Sequence, residues 1–332
     1  MELDGLQKSK SIQQDPEKLF RWTKGLEILE KRRSDFQQLL NSGELVRLVR
    51  FHNIASNGVT GKLNLLSLEV VVYREDTTRK LATLVGGNWR LIWQSATETL
   101  QTVSAALQES GLEVDHLDLF NAPGFQRCSI ASNKLSQIDF HTKRLSKTLT
   151  SHKSLSISVS DRIIDFTPQH AQESGDPRDD IDFTDRDNDK PTEVVTAEAQ
   201  DEQNFTGIAS LIAACPGLKR LHVHQYLVNF RRIPQVGYPN ERLLQCVFAL
   251  DTLPLLEELT LRGVYVHEPD LLAFINMMPL RKLSLEFMTM VSGKYRSILD
   301  YSNTKTSTLG SVYLDELREQ NELVHFTGVG EP

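Results

Sequence analysis

Aliphatic residues recur along this chain in one spacing, apolar-x-x-apolar-x-apolar. It is clearest at Leu256, Leu259 and Leu261, and it returns at Val114, Leu117 and Leu119, at Leu135, Ile138 and Phe140, and at Leu218, Leu221 and Val223. Further copies lie at Leu280, Leu283 and Leu285 and at Leu309, Val312 and Leu314. Leu155, Ile157 and Val159 alternate with serines in the same sense. The last two apolar positions of each motif are two residues apart, so they fall on one face of a short strand and the residues between them on the other. Residues 44–52 and 65–73, rich in Leu and Val, read as two more strands.

Between the strands the period changes to that of a helix. Asp15-Pro16-Glu17 supplies a capping acceptor, a proline and an acid, which predicts a helix over 15–43. Ser95-Ala96-Thr97-Glu98 reads as a capping box opening a helix that carries Leu100, Val103 and Leu107 and stops at Gly111. Shorter helices are predicted over 206–214, 240–250, 269–277 and 295–301. Strand and helix alternate, which favours parallel strands joined by helical crossovers. Recurring strand motifs at uneven intervals predict an α/β protein, an irregular leucine-rich-repeat-like solenoid with a mostly parallel sheet. Its parts are a disordered tail over 1–14, the helix over 15–43, a first half of the solenoid over 44–166, an acidic disordered insertion over 167–203 and a second half over 204–325.

Charge supports that division. The chain has 332 residues and a formal net charge of -7, but Ala171 to Gln203 alone holds twelve acids against Arg178, Arg186 and Lys190. The remainder is close to neutral and gives no footprint for nucleic acid. Cys128, Cys215 and Cys246 stand far apart, which argues for buried thiols in a reducing compartment over a disulfide framework or a zinc ribbon. The amino terminus has no apolar signal core and no apolar run reaches membrane length, so the expected location is cytoplasmic or nuclear, without membrane contact. The sequon Asn204-Phe205-Thr206 is then a chance match.

The motifs of small-molecule chemistry are incomplete. Ser56 to Leu63 lacks the first glycine and the final hydroxyl of a phosphate-binding loop. Asp185 to Asp189 begins like a calcium loop, but Lys190 and Thr196 occupy the positions that need glycine and a bidentate glutamate. His222 and His224 share a strand face without an evident third ligand. No catalytic spacing stands out, and neither a cofactor nor a metal is expected. The outward residues of the strands instead form a polar row that predicts a protein-binding, non-catalytic surface. Its expected contacts are Phe120, Arg220, His222, His224, Glu258, Arg262, Lys282, Glu286 and Tyr313, with Phe120, Arg220, Arg262 and Tyr313 as anchors, since Arg and aromatic residues dominate binding hot spots. Gln137, Asp139 and His141 are assigned to the same face.

Asn88 to Trp93 with the following helix, Leu119-Phe120-Asn121 with Arg127-Cys128-Ser129, Leu155 to Ile163, Asn204 to Gly207 and Leu256 to Val264 together resemble the carboxy-terminal region of filamentous-fungal F-box proteins. The likeness spans roughly residues 85–302. It implies a substrate-recognition subunit of a cullin-based ubiquitin ligase, in which an amino-terminal F-box grips the ligase adaptor and the repeats hold the target. Residues 1–50 depart from that plan, because they show a helix without the Leu-Pro opening of an F-box. A stand-alone scaffold without a ubiquitin role is the alternative, and an enzyme whose pocket no motif marks is a further, less favoured one.

Overall fold

The computed structural model describes residues 62–69, 88–121, 129–160, 201–226, 242–250, 252–320 and 322–325, with the isolated positions 31, 34, 38 and 197. Lys31, Ser34 and Gln38 are helical and exposed. Otherwise the amino-terminal helix, the strand expected over 44–52 and nearly all of the acidic insertion lie outside the described residues, as does Cys128.

The main element is an eight-stranded sheet whose strands follow one another in chain order. It runs from β1 (Lys62–Leu68) through β2 (Glu113–Leu119), β4 (Ser154–Ser160), β5 (Arg220–Tyr226), β6 (Glu258–Arg262) and β8 (Lys282–Glu286) to β10 (Ser311–Asp315). The short β3 (Ile130–Ala131) pairs with the end of β4. Every pairing in this sheet is parallel, and the aliphatic motifs meet in register: Leu117 beside Leu155, then Leu221, Leu259, Leu283 and Val312. A one-residue slip would turn each aliphatic set to the opposite face, so burial of one face fixes the register. Backbone bonds outside the strands extend the ladder, from Lys153 N to Asp115 O (2.8 Å), Glu257 N to Lys219 O (2.8 Å), Arg281 N to Glu257 O (2.7 Å) and Gly310 N to Arg281 O (2.9 Å).

The helices form a second layer in much the same order. They are α1 (Asn88–Ser110), α2 (Ser132–Leu135), α3 (Lys143–Leu149), α4 (Gln203–Ala213), α5 (Arg242–Phe248), α6 (Glu268–Met277) and α7 (Arg296–Ser302). α1 packs on α3, and α2, α4, α5, α6 and α7 each pack on the next. One apolar cluster fills the space between the layers, from Leu68 and Leu100 to Tyr295 and Leu317.

Three expectations need correction. Ser95 does not cap α1. The helix is already formed at Asn88, and Thr97, Thr99 and Thr102 turn their hydroxyls back onto the carbonyls of Trp93, Ser95 and Glu98, a bond a mid-helix threonine makes readily. The expected stop is real: Gly111 takes φ +65 and donates to Leu107 O. The second correction concerns Leu135, Ile138 and Phe140. These belong to α2 and the turn after it, while β2 pairs directly with β4, so Gln137, Asp139 and His141 are not on the sheet. An apolar pair three residues apart suits a helical turn as well as this strand motif. Third, the strand expected over 65–73 begins earlier, at Lys62, so that Leu63, Leu66 and Leu68 face the interior.

A smaller sheet was not visible in the sequence. β7 (Tyr265–His267), β9 (Thr289–Ser292), β11 (Arg318–Glu319) and β12 (Glu322–Leu323) lie side by side in the order β12-β11-β9-β7, parallel except for the β11–β12 pair. Each of the first three follows a main-sheet strand through one left-handed residue, Gly263 (φ +69), Phe287 (φ +53) and Glu316 (φ +45), and the three are equivalent in the register of β6, β8 and β10. The chain thus turns a corner three times in succession at the same level.

Glu268 ties two of these units together. Its carboxylate accepts from the backbone N–H of Lys294 at 2.6 Å and from the Ser297 hydroxyl, bonds that hold its pKa below the usual glutamate value. Glu268→Ala leaves both donors to solvent and is expected to cost about 1 kcal/mol, read as a lower urea midpoint with an unchanged slope.

Candidate functional site

The inward face of the main sheet is closed by the helices, so the outward face is the candidate functional surface. Parallel register arranges the outward side chains in three rows across the strands. The first row, near the strand starts, is His116, Ser154, Arg220, Glu258, Lys282 and Ser311; the second is Asp118, Ser156, His222, Thr260, Ser284 and Tyr313; the third, near the strand ends, is Ser158, His224, Arg262, Glu286 and Asp315.

Long charged side chains dominate the first row and pair along it. Arg220 Nη2 reaches across Ser154 to His116 Nδ1 at 3.1 Å, and Lys282 Nζ lies 3.3 Å from Glu258. Arg220 and Lys282 are exposed, so these contacts orient the groups more than they stabilise the fold. In the third row Arg262 lies 4.0 Å from Glu286 and places its guanidinium 5.0 Å from the centre of the Phe287 ring, which fixes it by charge and by the ring's π face together. Ser284 donates to Glu286 at 2.9 Å.

The second row is short by contrast, with hydroxyls at Ser156, Thr260 and Ser284. At one end Asp118 accepts from Asn121 N (2.9 Å), and the Asn121 amide donates to Ser156 (2.8 Å). Burial pushes the Asp118 carboxyl above its usual range, against the pull of the Asn121 bond. At the centre His222 is held below the ordinary histidine value, chiefly by burial, and its Nε2 is enclosed without a hydrogen-bond partner. A buried nitrogen left this way costs about 1–3 kcal/mol. At the other end Tyr313 is 55% exposed.

Two residues expected to contact a partner are not available for it. Phe120 is only 1% exposed: its positive φ (+62) ends β2 and takes the ring out of the strand alternation and into the apolar cluster. His224 does project on the outward side, but it is 8% exposed and its Nδ1 is 3.1 Å from the Ser158 hydroxyl. Burial, with help from Arg262 and His222, lowers its pKa to about 4. Ser158 is itself fully buried, and no carboxylate among the described residues bonds to His224. The contact therefore joins β4 to β5 and does not activate a nucleophile. Arg220, His222, Glu258, Arg262, Lys282, Glu286 and Tyr313 do share the outward face, as their strand positions predicted.

No family model, curated protein or solved structure matches the chain. Among the described residues no group of three or more His, Cys, Asp or Glu side chains is placed to hold a metal ion, and no helix is long and apolar enough to cross a membrane. Asn204 is buried in the first turn of α4, where a glycan has no room. Cys215 is buried and its thiol is pushed up to about 12, far from a reactive thiolate.

Strand alternation places Asp118 on this surface, as expected from the sequence, whereas sequence reasoning missed Phe287 and Asn121 as members of it. The signal for Phe287 was its place two residues beyond Leu285, where the corner turns the ring back beside Arg262.

Proposed function

We propose that this chain is a leucine-rich-repeat-like solenoid that binds a partner protein on the outward face of its main sheet and carries out no chemistry of its own. The observation behind this reading is the sequential, all-parallel stacking of the aliphatic motifs, which lines up the polar faces of six strands, from β2 to β10, into one continuous surface. Charges of both signs, an exposed tyrosine and an arginine held on an aromatic ring are what a protein partner engages. The resemblance to F-box proteins extends the proposal to a ubiquitin-ligase substrate receptor; a scaffold without a ubiquitin role is the alternative reading.

Reversing charge at two places on the face tests the surface. Arg220→Glu combined with Arg262→Glu is expected to reduce partner capture in pull-downs at least tenfold, because each arginine would be replaced by a repelling carboxylate. Unchanged capture by a variant with a native circular dichroism spectrum would remove this face from the proposal. Affinity purification read for cullin and adaptor peptides separates a ligase receptor from a free scaffold.

A further inference from the structure

The three rows differ in height, and the difference makes a trough. Long side chains of the first row (Glu258, Lys282) and of the third (Arg262, Glu286) stand on either side of Thr260 and Ser284, and Arg220 extends the first wall past His222 towards Ser156. Rows two residues apart on a strand are about 6.7 Å apart, so the walls are separated by about 13 Å. From Ser156 to Tyr313 the floor crosses four strand gaps, about 19 Å, the length of about six extended residues. An α-helix would also fit between such walls, but it keeps its backbone bonds internal and needs an apolar floor. This floor offers the hydroxyls of Ser156, Thr260 and Ser284, groups that pair with the free N–H and C=O of an extended chain.

The trough ends on Tyr313, and the charges there are not balanced. The first- and third-row cations are all engaged: Lys282 by Glu258, Arg262 by Glu286 and Phe287, and Arg220 by His116. Asp315, two residues from Tyr313 on the same face, has no ion-pair partner among the described residues. An exposed ring beside a free carboxylate takes a cation, through the π face and through charge.

We infer that the trough binds an extended peptide segment of about six residues, running across the strands, with a lysine or arginine of that segment seated on Tyr313 and Asp315. The inference rests on the outward face being the binding face, and it adds the shape and chemistry of the occupant. The backbone supplies hydrogen bonds to the floor, so most positions tolerate many side chains, while the position over Tyr313 is selective for positive charge.

The probe is a degenerate heptapeptide library, immobilised and incubated with the intact protein, with one position at a time fixed as Lys, Ala or Glu. The expected result is retention with one position preferring Lys over Ala by about tenfold. Tyr313→Ala with Asp315→Asn is expected to abolish that preference while retaining binding, and Thr260→Trp, which fills the floor, to abolish retention. Each variant is checked by its melting temperature, and Ser284→Trp replaces Thr260→Trp if the latter does not fold. A library not retained by the wild type, retention unaffected by both tryptophans, or a Lys preference that survives the Tyr313/Asp315 change overturns the inference. If the Arg220/Arg262 reversal still abolishes partner capture in that event, the outward face remains the binding face and only the trough is lost; if capture is also unaffected, both fall.

Discussion

Replacing Gly263 by alanine is expected to cost about 3 kcal/mol or more, from two effects that other glycines of this chain display separately. The residue sits at φ +69, and a Cβ built there would be 2.3 Å from the carbonyl oxygen of Gln225. The collision follows from topology. β5 runs straight on through Gln225 and Tyr226, whereas β6 is the first strand to turn the corner into the smaller sheet, so its corner residue meets the backbone of a neighbour that did not turn. Phe287 and Glu316, at the same level one and two strands on, carry side chains at positive φ. Three controls separate the effects. Gly310→Ala meets only an ordinary contact 3.7 Å away and is expected to change stability by less than about 0.5 kcal/mol. Gly111→Ala, with positive φ and nothing within 4 Å, isolates backbone strain, about 1 kcal/mol. Gly207→Ala isolates the clash, since its Cβ would be 2.5 Å from Ser136 N where α4 rests on α2. Urea titrations of the four proteins should rank them Gly310, Gly111, then Gly207 and Gly263; a Gly263 variant no worse than the Gly111 variant would show that the close approach to Gln225 is not there.

Acid should destabilise the fold well before its carboxylates are generally protonated. His152 is wholly buried between α3 and β4, and His224 nearly so between β4 and β6; burial lowers both to about 4. Neither ring nitrogen of His152 has hydrogen-bond geometry, although the Thr148 and Leu149 carbonyls and Asp115 favour the charged ring weakly and His116 opposes it. Around His224 the neighbouring charged or titratable groups are Arg262 and His222, both of which oppose protonation. The unfolded chain therefore binds more protons than the folded one between pH 4 and about 6.5, and stability rises with pH across that window. It is fully present above the unfolded value, is lost as pH falls towards the folded value, and amounts to about 3 kcal/mol for each histidine. His152→Leu should remove its share of the slope: the difference in unfolding free energy between wild type and variant will change between pH 7 and pH 4 and stay level above pH 7. A difference that is flat across the whole range would mean that His152 is not held neutral.

What the sequence made legible was what a period of two can carry. Leu221, Leu259 and Leu283 occupy adjoining rungs of one sheet because nothing else buries three such motifs at once. Leu135, Ile138 and Phe140 have nearly the same spacing but lie in a helix and a turn, since the motif is too short to decide between the two periods when β4 is already paired with β2. The strands of the smaller sheet are two to four residues long, below the length at which alternation can be seen. On the outward face, strand alternation placed eight of the nine expected contacts and failed at Phe120, which depends on a single dihedral angle. His224 points outward as expected, but its burial is a property of the folded surface that a linear pattern does not encode.

The pairing of β4 with β5 carries a last consequence. Ser160 sits beside Tyr226 in an unbroken register, and among the described residues the next strand of the sheet after β4 begins 60 positions on, at Arg220. Closing a longer loop costs only a logarithmic increment, so this junction constrains where the two strands meet and hardly at all how much polypeptide is strung between them. A longer connection here, or a foreign domain carried within it, would leave the rungs on either side as they are.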